Sequence, residues 1–192
     1  FNATLLIGVG AVIATPDLPS VLFWTLALWA IAELRTGEDD RWWLAVGVFA
    51  GLGLLSKYSV LFLGAGIVLW LLVAPDMRRA FRSPWLWAGG AVALVLFAPV
   101  VAWNAANGWA SFEKQFGRAV PSEFRPELVL EFLGAQILLV GPLMVPFLAI
   151  GIGRIVRLGP TRASLAWGLL ATSLPFFAYL VAHGFHARVQ GN

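Results

Sequence analysis

Residues 42–74 form an apolar run of 33 residues whose one charge is Lys57, near its middle. About 20 residues of helix cross the ~30 Å hydrocarbon core of a bilayer. The run is therefore too long for one comfortable crossing and too short for two full crossings with a turn. A lysine at membrane depth is costly, and such residues face a cavity, a partner or a substrate. The way the chain folds around Gly51-Leu-Gly-Leu-Leu-Ser-Lys57-Tyr58-Ser59 decides what this sequence can become.

The surroundings of that run are of the same kind. The 192 residues are 60% hydrophobic and 12% charged, about half the charge of an average globular chain. This reads as an all-α integral membrane protein, a polytopic bundle with about seven apolar helices. The sequence pI near 10 is not a nucleic-acid signal, because the basic residues sit in short clusters between apolar runs, as topology signals do. With no cysteine, disulfide and thiol chemistry are excluded. Phe1 opens inside an apolar run and Asn192 ends without a stop signal. The expectation is one transmembrane domain over residues 1–192, cut at both ends.

In order, residues 1–14 read as the end of a helix, and Thr15-Pro16-Asp17-Leu18-Pro19 as a turn. A helix is expected over 20–34, then an acidic loop holding Glu38, Asp39 and Asp40. After the 42–74 run come a basic loop, a span over 84–103 with a kink at Pro99, and a polar connection from Asn104 to Glu127. A span over 128–153 is kinked at Gly141-Pro142 and Pro146. A loop with Arg154, Arg157 and Arg162 leads to a last span over 164–182. If the 42–74 run crosses once, each side of the membrane receives six Lys/Arg. If it enters and returns, loops 33–41, 75–83 and 154–163 share one side and hold eight against four. The positive-inside bias favours the return. Each limb then has 15–17 residues, about 23–26 Å long, so the Ser56–Ser59 turn is a short hairpin tip recessed below the outer surface. Irregular backbone at that depth is tolerated beside protein or a wet cavity. Asp17, Lys57, the 104–127 connection and the histidine-bearing tail fall on that same outer face.

Several residues there could carry chemistry, and each has a plain structural role beside the functional one. Asp17 fits a capping carboxylate for the following helix, or a carboxylate that serves as base, metal ligand or acceptor contact. Lys57 fits a snorkelling lysine, or a compact charge for phosphate. Tyr58 fits an interfacial anchor, or a donor to the same group. Trp109, Phe112 and Phe116 recur at helical spacing with Glu113, Lys114 and Arg118 off the stripe. That pattern is an amphipathic surface helix, an anchor or the wall of a lipid cavity. His183 and His186, three apart, and Asp17 are weak candidates for a divalent metal, and Arg188 for a phosphate contact. The chain has no phosphate loop, nucleophile elbow or zincin helix.

Three stretches carry a family resemblance: Ala14-Thr-Pro-Asp17-Leu-Pro-Ser-Val-Leu-Phe-Trp, Gly51-Leu-Gly-Leu-Leu-Ser-Lys57-Tyr58 and Pro99-Val-Val-Ala-Trp-Asn104-Ala-Ala-Asn-Gly-Trp109-Ala-Ser-Phe. In this order they resemble the middle of the polytopic GT-C glycosyltransferases of family 39 type, the protein O-mannosyltransferases and aminoarabinose transferases. Arg188-Val-Gln-Gly-Asn192 is similar to the start of an outer-face motif in bacterial members. The resemblance implies transfer of a sugar, with inversion, from a polyprenyl-phosphate donor to a lipid, protein or glycan acceptor at the outer, periplasmic face of the inner membrane. It implies that Asp17 is the later of two outer-loop acids, placing the acceptor or a metal, and that Lys57, with Tyr58 and Arg188, binds the donor. The first-loop acid, the base, would lie upstream, and this stretch alone would be inactive. From the residues themselves, a secondary transporter with a broken helix and a non-catalytic lipid-binding subunit are the rival readings.

Overall fold

The computed structural model describes residues 17–37, 39–117, 125–162 and 164–186, and among these the secondary structure is helical, with no strand. Helix α1 (Asp17–Gly37) is followed by α2 (Trp42–Ser56), a 3-10 turn (Tyr58–Val60) and α3 (Leu61–Val73). A second 3-10 segment (Pro75–Arg82) leads to α4 (Pro84–Ala106). Helices α5 (Ala110–Gly117), α6 (Glu127–Val140), α7 (Met144–Arg162) and α8 (Ser164–Gly184) complete the chain. Among the described residues, α1, α4, α7 and α8 are each long and apolar enough to cross a membrane. The all-α polytopic reading is borne out.

The 42–74 run breaks where expected. Lys57 is a single extended residue (φ −156°, ψ 134°) between the end of α2 and the 3-10 turn. Its N–H donates to Gly53 O at 2.9 Å, and its carbonyl accepts Val60 N–H at 3.2 Å. Val60 folds back onto Gly53, where an added Cβ would press on the valine methyls.

Two ion pairs show that the run enters and returns. Lys57, at the tip, pairs with Asp17 at the start of α1. Asp76, just beyond α3, pairs with Arg35 near the end of α1 at 3.1 Å. The two limbs therefore begin and finish at the Arg35 end, with α1 as the ruler between the pairs, Asp17 and Arg35 lying about 27 Å apart along its axis at 1.5 Å per residue. The limbs are not packed on each other as a close hairpin. Helix α2 lies against α1 and α4, while α3 lies against α8. Below α3 the chain turns by 114° into Pro75–Arg82. Met77 and Ala80 there are buried, and Arg78 donates to Leu72 O at 2.9 and 3.1 Å, serving carbonyls that a helix end leaves unpaired.

The core sits where these helices meet, around Ile31, Trp43, Val60, Leu63, Trp70 and Leu71. Small residues let the backbones approach, as in other membrane bundles, where helix association relies on close packing. A Cβ on Gly89 would collide with the Trp43 carbonyl, and one on Gly66 with the backbone of Thr172. Trp70 crosses to α8, donating to Ser164 O at 2.8 Å and lying over Gly168. Gly89→Val should therefore cost about 1–3 kcal/mol, the range for an overpacked core. Gly90→Ala, with open space around it, should leave the thermal midpoint nearly unchanged. Equal midpoints for the two variants would contradict this packing.

Three expectations need correction. The 128–153 stretch is not one kinked span. Gly141 has φ 93°, and with Pro142 it separates α6 from α7. Arg154 and Arg157 are not in a loop, because α7 continues to Arg162 through a kink at Gly159 (φ 74°). Asn104 does not open the polar connection, because α4 runs through Pro99 to Ala106. Residues 1–14, Glu38, Arg118 and Arg188 lie outside the described residues.

Candidate active site

The site grows from the tip of the 42–74 run. Because Lys57 is extended between two helical turns, its side chain leaves the α2 axis toward the start of α1. Its ammonium meets Oδ1 of Asp17. The lysine that stands alone in sequence thus has a partner 40 residues away. The lysine side chain is 28% exposed and the aspartate 42%, so the pair is half-sheltered and open to an incoming group. Asp17 occupies the first turn of α1, where the helix dipole favours a carboxylate, and its carbonyl accepts Ser20 Oγ at 2.8 Å. The helix-start role and the pairing role therefore coexist in one residue.

Tyr58 stands beside this pair within an aromatic row. Its ring lies edge-on to Phe97 of α4 at 5.9 Å and to Phe112 of α5 at 5.2 Å. Trp109 stacks on Phe112 at 5.7 Å and is 45% exposed. Phe97 lies nine residues before the end of α4 at Ala106. Measured along that helix, the tip is about 13 Å below the end. The turn at Lys57 is thus set back from the end of α4. The amphipathic segment is also present as α5, but Phe112 points inward against Tyr58 and Phe97, so α5 is a wall of this region rather than only an anchor.

The other site candidates divide. Helix α8 runs antiparallel to α3, with Phe62 against Tyr179 at 5.0 Å, so its C-terminal end reaches the Lys57 end of the bundle. His183 stacks on Tyr179 at 5.9 Å. His186 follows in the turn after α8, its N–H donating to His183 O at 3.0 Å. Arg125 N–H donates to Phe185 O at 2.6 Å, joining this turn to the start of α6. Beside it Arg125 and Glu127 pair at 3.0 Å. Glu127's own backbone N–H and then the Arg125 hydrogen bond hold its carboxyl below the usual range. Among the described residues, no three His, Asp or Glu side chains come together as a metal site. Asp17 is engaged by Lys57 instead.

Charge separates along the bundle. The Arg35–Asp76 pair, the basic Pro75–Arg82 segment and Arg41, which lies over Trp85 at 5.7 Å, mark the opposite end from Lys57. Helix α7, carrying Arg154, Arg157 and Arg162, touches the same segment. This is the partition of basic loops expected from the hairpin arrangement.

Comparisons with known proteins place the chain in a family. The family model described as dolichyl-phosphate-mannose-protein mannosyltransferase matches residues 1–103, more than half of the chain. The chain belongs to this family. It is thereby a member of the GT-C membrane glycosyltransferases, and the match contains both Asp17 and Lys57. A curated relative, the lipid A galacturonosyltransferase RgtD of Rhizobium johnstonii, is 29% identical over 153 residues, covering 79% of this chain. The chain spans 32% of that relative's length. No solved structure matches.

Two features of the site were missed in sequence. The Asp17–Lys57 pairing has no local signal in the sequence, since the two residues come together only through the return of the run. Asn104, fully buried, was read as the edge of a polar loop. A polar residue four positions after Val100 in a helical apolar pattern was the available signal.

Proposed function

We propose that this chain is the membrane part of a glycosyltransferase that takes a sugar from a polyprenyl-phosphate donor and passes it to a hydroxyl of a lipid, protein or glycan acceptor. The observation that carries the reading is the half-sheltered Lys57–Asp17 pair at a recessed tip, in a chain of this family. The Lys57 end faces the outer, periplasmic side of the inner membrane, on the strength of the basic loops at the other end.

In such a transfer the acceptor oxygen attacks the anomeric carbon as the bond from that carbon to the phosphate oxygen breaks. The donor is a phosphodiester with one negative charge, and the departing lipid phosphate is a monoester with up to two. Lys57 therefore interacts more strongly with the leaving group than with the bound donor, the difference that accelerates a reaction. Donor phosphate and Asp17 compete for the same ammonium. When phosphate takes it, the Asp17 carboxylate is released to accept a hydrogen bond from the acceptor. As the new bond forms, the acceptor hydroxyl gives up its proton to a general base. Tyr58 lends its hydroxyl to the phosphate region, and Arg188, outside the described residues, is proposed as a further phosphate ligand. His183 and His186 lie on the same end and are not needed for this scheme.

The test is donor choice. The full-length protein containing this chain, reconstituted in vesicles, should transfer sugar from undecaprenyl-phosphate sugars and not from nucleotide sugars. It should release undecaprenyl phosphate in equal amount. Transfer from a nucleotide sugar, or transport of a free sugar without transfer, would overturn the reading.

A further inference from the structure

The third motif of the sequence, Trp103-Asn104-Ala-Ala-Asn-Gly108-Trp109, has no role in the scheme above, and its geometry is closely specified. Asn104 has 0% exposure, and its polar groups are engaged. Its Nδ2 donates to Val100 O at 2.9 Å, which fixes the amide against α4. Its Oδ1 accepts the backbone N–H of Ser111, in the first turn of α5, at 3.1 Å. Its main-chain carbonyl accepts Trp109 N–H at 2.7 Å and Asn107 N–H at 3.1 Å. One buried side chain thus ties the end of α4 to the start of α5.

The turn it ties needs such a hold. Gly108 and Trp109 follow one another in the left-handed region, at φ 63° and 59°. Glycine adopts this freely, but a tryptophan there is uncommon and persists when its surroundings over-determine it. The left-handed pair reverses the chain and brings α5 back toward the bundle. Phe112 then reaches Tyr58, the neighbour of Lys57, at 5.2 Å and Phe97 at 6.4 Å. An amide that is buried and hydrogen-bonded on both sides loses much when truncated, because the partners are left unsatisfied.

We infer that Asn104 is a positioning residue: through the Ser111 tie and the left-handed turn it holds α5, and with it Phe112, as the wall beside Lys57 and Tyr58. It touches no substrate. The inference uses the reading of Lys57 as the site, but the wall itself can be tested without a substrate.

Lys57 and Lys114 are the lysines of these 192 residues, which makes amine acylation a resolved readout. The full-length protein in nanodiscs is treated with an acetylating reagent, and the two lysines are followed by peptide mass spectrometry. Asn104→Leu fills similar space without the hydrogen bonds, whereas Asn104→Asp keeps an Oδ1 acceptor for Ser111. Acylation of Lys57 should be about tenfold faster in Asn104→Leu, with Lys114, on the exposed side of α5, changed less than twofold. Asn104→Asp, which keeps the acceptor for Ser111 but loses the donor to Val100 O, should fall between the unsubstituted protein and Asn104→Leu. An unchanged Lys57 rate in Asn104→Leu overturns the inference. So does an equal rise in Asn104→Asp, or a rise accompanied by a collapsed melting transition. A separate arm adds undecaprenyl phosphate to the unsubstituted protein. Slowed Lys57 acylation supports the phosphate reading. No slowing rejects that reading and leaves the outcome for Asn104 to stand by itself.

Discussion

Replacing Lys57 with methionine in the full-length enzyme should lower sugar transfer by about two to three orders of magnitude, the loss seen when a preorganised group facing a developing anion is removed. Methionine keeps much of the stem and its apolar contacts, so the tip should still pack on α1 and α4. The fold should hold for a second reason. The pair is 28% and 42% exposed, and ion pairs reached by solvent contribute about 0–1 kcal/mol. Asp17, left without the ammonium, remains at a helix start where its charge is favoured. The expectation for an unpaired buried lysine is that its removal stabilises the protein. The presence of Asp17 replaces it with a near-neutral or slightly lowered melting temperature. Lys57→Arg should recover part of the activity, since it keeps the charge but spreads it over a planar fork. Activity assays and melting curves on the three proteins decide the matter. A snorkelling lysine would give Lys57→Met full activity.

Asp17→Asn should move two quantities in opposite directions. In the resting protein the Asp17 carboxylate occupies the ammonium that a lipid phosphate would use. Removing its charge relieves that competition, so undecaprenyl phosphate should bind several-fold more tightly. Turnover should nevertheless fall tenfold or more, because the carboxylate released by donor binding no longer holds the acceptor. A carboxylate that merely starts α1 predicts a different pattern: loss of about 1 kcal/mol of stability, unchanged turnover and unchanged lipid affinity. Affinity, turnover and melting temperature measured on one preparation separate the two roles. Weaker lipid binding in Asp17→Asn would show that the two side chains do not compete for the phosphate.

Where sequence and structure agree, the physics was local. The length of the 42–74 run against bilayer thickness required a break, and the break falls at Lys57 as the polar Ser56–Ser59 tip indicated. The distribution of arginines placed loops 33–41 and 75–83 at one end, and the Arg35–Asp76 pair joins them there. The aromatic spacing at Phe112 and Phe116 marked α5, although Trp109, read on the same stripe, falls in the left-handed turn before it. What remained hidden was long-range or depended on backbone detail. No periodicity tells Lys57 that its partner is Asp17. The depth of Asn104 depends on α4 continuing through Pro99, because an asparagine that bonds back to Val100 O can stay inside a helix. The separation of α6 from α7 depends on the positive φ of Gly141, which a glycine before a proline allows but does not require.

Recognition of lipid phosphate by the Lys57 ammonium underlies the proposed transfer. It is tested most directly by comparing the affinities of the full-length protein in nanodiscs for undecaprenyl phosphate and for undecaprenol, with lysine or methionine at position 57. The two lipids share the chain and differ in the charged head, so the ratio of affinities isolates the head group. The unsubstituted protein should prefer the phosphate by tenfold or more, about 1.4 kcal/mol. In Lys57→Met the ratio should fall close to one, with undecaprenol binding unchanged. An equal preference for the phosphate in both proteins would contradict it.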